Sequence, residues 1–231
     1  GHPETLMAIL HSDSFNGMAL DDPLWSSRNL DNALGGSGTL AWNGASGSYI
    51  GSDGANRIYY RGATGGRALV GLGSSADRLV RARIRFTSAG SAALSGRVAH
   101  YDGSDFTGVR ASIGNSTSMT TLKISTVDSG GSSTDQASTT VTALSTATDY
   151  WLVLIVSGSA VTARLHAADG TSTLGSQLGT VSHTLGSPLT GAYWGLRYVA
   201  DNDSGLLFDD WIEEDAPAPP PATRRPVIVI M

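Results

Sequence analysis

The chain has 231 residues, of which 40% are hydrophobic and 15% charged, a net charge of −5 and no cysteine. That length and apolar content suit one all-β domain with its own core. The acidic balance argues against a general nucleic-acid binder, and the absence of thiols excludes disulfides and thiolate metal sites.

Residues 1–6, GHPETL, read as an appended leader, with Met7 as the natural start and no ordinary signal peptide before the domain. No run approaches the roughly 18 apolar residues of a membrane-spanning helix, so the chain is not expected to cross a membrane. Leu79 to Phe86 alternates with period two: Val80, Ala82, Ile84 and Phe86 share one face, while Arg81, Arg83 and Arg85 share the other. That pattern predicts a half-buried strand. Residues 95–101 (SGRVAHY) predict a second strand, and the Asp/Gly-rich turn DGSD leads into a third at 109–113. TLKISTV, residues 121–127, alternates again. DSGGSSTD, residues 128–135, is polar and glycine-rich and reads as a loop. TDYWLVLIV at 148–156 and AVTARLHA at 160–167 flank SGS, the clearest hairpin in the chain. Residues 195–199 and 206–212 predict a closing pair around DNDSG. Short strands between Gly/Ser/Asp turns, with no capped helical period, predict two packed antiparallel sheets.

Three stretches resemble the concanavalin A-like lectin/glucanase jelly-roll superfamily. HSDSFNG at 11–17 followed by Trp25 resembles its opening strand, residues 148–170 its central hairpin, and YWGLRYVADNDSGLLFDDWIEE at 193–214 its closing strands. The resemblance implies a two-sheet antiparallel β-sandwich over 7–215, with residues 216–226 as a proline-rich linker and 227–231 as an apolar tail. For function it leaves binding module and carbohydrate-active enzyme both open.

Catalysis has a thin basis in the sequence. Glycosidases of this fold resemble one another in carrying paired carboxylates on one strand, an acid and a base or nucleophile roughly 5–10 Å apart. No such Glu-x-Asp-x-x-Glu pattern occurs, and the acidic pairs fall mostly in turns. A polysaccharide lyase could use Arg97, His100 and Tyr101, but solvated and core roles explain those residues equally well. Sugar binding needs less, a ring to stack on a pyranose face and planar polar groups to hold its hydroxyls. Trp194, Arg197, Tyr198, Tyr59 and Tyr60 are the candidates. The histidines lack ligand spacing, so no cofactor is expected. The resemblance does allow a structural Ca2+ where first and last strands meet, held by Asp13 with Asp209 or Asp210.

The end of the chain carries a separate signal. APAPPPATRRP, residues 216–226, is a stiff spacer that reaches on the order of 30 Å in polyproline form. Val227, Ile228, Val229 and Ile230 then form a β-branched run with no polar face, preceded by Arg224 and Arg225. Strand addition to an exposed sheet edge on another subunit would bury it, with an edge of its own sandwich or a disordered tail as the alternatives. The expectation is a non-enzymatic structural or adhesive module of a larger assembly, a phage or prophage virion protein, with a weak carbohydrate site. It would form a homo-oligomer, contact neither nucleic acid nor membrane, and lie in the virion or, before assembly, in the cytoplasm. A lyase or glycosidase on the same fold is the alternative.

Overall fold

The computed structural model describes residues 8–19, 28–42, 50–60, 67–71, 77–87, 96–101, 107–114, 119–128, 132–170, 173–191, 193–197 and 206–216. Among them every regular element is a strand: β1 Ile9–Asp13, β2 Ile50–Ser52, β3 Ile58–Tyr60, β4 Arg67–Gly71, β5 Arg78–Phe86, β6 Gly96–Tyr101 and β7 Gly108–Ile113 come first. β8 Thr121–Val127, β9 Ser133–Thr140, β10 Asp149–Ser157, β11 Ala160–Asp169, β12 Thr173–Thr184, β13 Tyr193–Arg197 and β14 Leu206–Asp215 follow. They form two antiparallel sheets. One has eight strands in the order β12-β11-β10-β5-β14-β3-β2, with β1 also on β14; the other has six, β4-β13-β6-β7-β8-β9.

The core lies between the sheets and follows the period-two alternation. Val80, Ala82, Ile84 and Phe86 of β5 and Leu152 and Leu154 of β10 face Val109, Ala111 and Ile113 of β7 and Trp194 and Leu196 of β13, all within one buried cluster. Trp42 from the segment after β1 packs edge-on against Trp211, with ring centroids 5.4 Å apart at 69°. That segment lies against β1 through backbone hydrogen bonds from Asn32 N to Ser12 O (2.9 Å) and from Ser37 N to Leu10 O (3.0 Å). Gly36 permits the approach: its φ is +100°, and a Cβ there would stand 2.5 Å from Leu10 O.

Three expectations need correction. β13 and β14 are not a closing hairpin, because β13 pairs with β4 and β6 in one sheet while β14 pairs with β5, β3 and β1 in the other. The stretch read as a loop at 128–135 gives its last residues, from Ser133, to β9. β5 is not half-buried, since Arg81 on its outward row is 1% exposed. The β6–β7 and β10–β11 hairpins form as expected.

Candidate functional site

Two faces look away from the core, and they differ in charge. On the eight-stranded sheet the outward arginines of β5 are neutralised one by one. Arg81 hydrogen-bonds Glu214 through Nε (3.1 Å) and Nη2 (2.6 Å), with its guanidinium 4.8 Å from the centre of the Trp151 ring. Arg85 grips Asp149 with two hydrogen bonds (2.5 and 2.8 Å). Arg83 Nη2 lies 2.8 Å from a carboxylate oxygen of both Asp209 and Asp210. A β-bulge makes that double contact: Phe208 pairs with Ile84 and Trp211 with Ala82, so two aspartates stand opposite one arginine. Burial pushes the Asp210 carboxyl up to about 7 despite the pull of Arg83, and the nearby Asp209 charge pushes the same way.

The six-stranded sheet is arranged otherwise. Because Trp194 and Leu196 turn inward, Tyr193, Gly195 and Arg197 occupy the outward positions of β13; likewise Gly108, Arg110 and Ser112 on β7. Backbone register assembles three cross-strand rows. The first runs Tyr193, Tyr101, Gly108 and Val127. The second runs Gly195, Ala99, Arg110, Ser125 and Asp135. In the third, Arg67 stands opposite Arg197, and Arg97 opposite Ser112, which stands opposite Lys123. At about 4.8 Å between strands and 6.8 Å between alternate residues, the rows form a tract roughly 25 Å by 13 Å. The middle row carries both a cation, Arg110, and a carboxylate, Asp135, and Arg110, Ser112, Ser125 and Val127 are buried, at 3%, 1%, 4% and 2% exposed.

The tract has one carboxylate among its described residues, Asp135. It accepts hydrogen bonds from Lys123 Nζ (2.8 Å) and Ser125 Oγ (2.7 Å). Partial burial acts to raise it, but those hydrogen bonds and the charges of Lys123 and Arg110 win, holding the carboxyl below its usual range. Ser112 Oγ in the cation row is buried and makes no hydrogen bond.

The predicted sugar-binding residues do not come together. Trp194 is fully buried in the core, so its ring cannot stack on a ligand. Tyr59 and Tyr60 are on β3 in the other sheet, Tyr59 opposite Leu207 and Tyr60 opposite Ile50. Arg197 does lie in the tract; Tyr198 falls outside the described residues, as do Arg224, Arg225, Val227, Ile228, Val229 and Ile230. The lyase set is divided, with His100 in the row of Trp194 and Val109 and with Arg97 and Tyr101 in outward rows. The calcium set is divided too. Asp13 sits in the core-side cluster, accepting from Trp42 Nε1 (2.5 Å), Phe15 N (2.8 Å) and Arg28 Nη2 (3.1 Å), while Asp209 and Asp210 face Arg83. Among the described residues no group of three or more His, Asp or Glu is placed to hold a metal ion. Sequence reading missed Tyr193, Arg67, Arg110 and Lys123 as tract residues. The signal was there in GVRASI and TLKISTV, whose polar face centres on a cation.

No protein-family model and no curated protein matches this sequence. Solved structures do. The exoplasmic/lumenal domain of VIP36 in its metal-free form aligns with a TM-score of 0.56 and 11% identity over 90% of this chain and 93% of that one. A Bacillus licheniformis β-glucanase aligns at 0.54 and 8% identity over 92% and 100%. The fold is the concanavalin-like jelly roll. The CBM2 module of the Lactobacillus casei BL23 phage J-1 evolved Dit aligns at 0.48 and 14% over 90% and 95%, too loosely to bear on function. VIP36 has also been solved in a Ca2+/Man-bound form.

Proposed function

We propose that this chain is a non-catalytic carbohydrate-recognition module that serves as a structural or adhesive part of a larger assembly, a phage virion in particular. The observation that carries the recognition half is the outward tract of the six-stranded sheet. Its Tyr193, partly exposed, offers a ring for stacking, and Lys123 and the exposed Asp135 farther along the sheet offer polar groups, the kinds of group sugar binding requires, while Arg110 and Ser125 are buried. The saccharide in the VIP36 complex agrees with this reading, while the glucanase of the second neighbour's name belongs to the enzymatic alternative. The assembly half rests on the proline spacer and its apolar tail.

An enzyme on the same fold is the second reading. A glycosidase needs two carboxylates about 5–10 Å apart, and among the described tract residues Asp135 stands alone, bound to Lys123 and Ser125. A lyase would retain Arg97 and Tyr101 but would have to reach His100 in a core row.

The test measures binding and turnover on one panel of polysaccharides. The expected result is retention on at least one polymer, weakened roughly tenfold by Tyr193→Ala, with no new reducing ends, no unsaturated products, and no change on adding chelator. Turnover that disappears in Arg97→Ala would establish the lyase instead. No binding to any polymer would end the recognition proposal.

A further inference from the structure

The outward face of the eight-stranded sheet is closed where the outer face of an antiparallel sheet is ordinarily wet. Trp151 and Ile212 are 0% exposed and Val153 1%, and Leu79 and Ile155 are buried beside them. All five lie on the side away from the core. Trp151 pairs with Arg83 and Ile212 with Arg81 of the outward row of β5, and Leu79, Val153 and Ile155 form a cluster of their own. The six-stranded sheet covers the opposite side, and every described strand belongs to one of the two sheets. Among the described residues Arg81 lies over the Trp151 ring, and Leu174 and Ala216 pack against the cluster. A guanidinium, a leucine and a methyl group are little cover for so much apolar surface.

Two observations bear on that cover. The first is position. Ala216, the last described residue, has turned from the end of β14 onto Leu79, Val153 and Ile155, so the chain beyond it starts on this face. Pro217, Pro219, Pro220 and Pro221 follow within five residues. In polyproline form residues 217–221 reach about 15 Å, and the step along β10 from Ile155 to Trp151 is about 14 Å. The second is an unmet donor. Trp151 Nε1 is buried and makes no hydrogen bond, which leaves its desolvation uncompensated. A polyproline segment complements both. Its carbonyls are free to accept, its prolines bring no N–H that would need a partner on an apolar face, and its stiffness keeps the ordering cost small.

We propose that residues 217–221 lie in polyproline form across the outward face of their own eight-stranded sheet, over Ile155 and Val153, with one of their carbonyls accepting from Trp151 Nε1. The root of the arm is then fixed on the domain that carries it, and the segment from Arg224 onward is what remains to reach a partner. This goes beyond the assembly reading and does not depend on it.

The test follows the indole N–H of Trp151 by heteronuclear NMR in the full chain with labelled tryptophan, its signal assigned by its disappearance in Trp151→Phe. The signal should be protected from exchange in the full chain, and equally so over about a hundredfold range of protein concentration. Deleting residues 222–231 should leave the protection intact, and deleting 217–231 should speed the exchange roughly tenfold. Circular dichroism checks that each variant is folded. If the longer deletion is not, the combined variant Pro217→Gly/Pro219→Gly/Pro220→Gly/Pro221→Gly takes its place with the same expected loss. Exchange that is equal in the full chain and in both deletions overturns the proposal. Protection that appears only at high concentration overturns it as well and gives the face to the arm of a second copy. Light scattering on the 222–231 deletion keeps the two readings apart. A lowered mass with protection intact supports both, and an unchanged mass with protection intact removes the assembly role while the seat of residues 217–221 stands.

Discussion

Glu213 occupies a rim position where β14 meets β1. Its Oε1 accepts a hydrogen bond from Arg78 Nε at 2.8 Å, and its Oε2, 4.0 Å from His11 Nε2, is buried with no hydrogen bond. Burial pushes the carboxyl up to about 7 against the pull of Arg78, and it pushes His11 down. For Glu213 the folded state holds its proton more tightly than the unfolded chain does. Its contribution to stability is therefore full below about 4.5 and is lost as pH rises toward 7. Glutamine imitates the protonated acid and does not titrate. The melting temperature of Glu213→Gln relative to the parent should accordingly rise from pH 5 to pH 8, by an amount corresponding to at most about 3 kcal/mol. Differential scanning calorimetry across that range checks the sign, and a difference that falls with pH would refute it.

At the scale of elements, β5 shows how a strand can be buried on both faces with every other residue charged. Its apolar row enters the core, and its arginine row is closed by carboxylates from β14 and β10 and by the Trp151 ring. Arg81 and Glu214 are 1% and 3% exposed, so removing one partner strands the other away from water. Arg81→Met should cost roughly 3–5 kcal/mol in urea unfolding, and the double variant Arg81→Met/Glu214→Leu should recover most of that loss. If the double variant is as unstable as the sum of the two single ones, the pair contributes by packing and not by charge compensation. β9 and β12 show the opposite case. They are Ser/Thr/Gly-rich edge strands, β9 exposed along most of its length and β12 at alternate positions, that owe their order to ladder pairing with β8 and β11. No hydrophobic period marks them, which is why they were not legible as strands.

At the scale of the whole molecule, the proposed assembly role belongs to the segment that follows β14. Ala216, the last described residue, packs against Leu79, Val153 and Ile155 on the outward face of the eight-stranded sheet. Deleting residues 217–231 should leave the sandwich folded and its polysaccharide binding intact while lowering the solution mass measured by light scattering. An unchanged mass would remove the arm from assembly.

Alternation along β5 and β8 was enough to say that these are strands, and along β5 which side chains enter the core, because successive side chains on a strand point to opposite faces whatever the partner. Turn composition located the β6–β7 and β10–β11 hairpins, whose turns are local. It could not say which sheet a strand joins. β13 and β14 look like a pair in the sequence yet end up in opposite sheets, since pairing depends on matches between residues far apart in the chain. From that single division follows what only the tertiary structure decided. Trp194 became core, Tyr59 and Tyr60 were parted from Arg197, and the carboxylates of β14 were drawn to the arginines of β5. Lys123 of β8 likewise met Asp135 of β9, because ladder pairing brings together charges that the sequence holds apart.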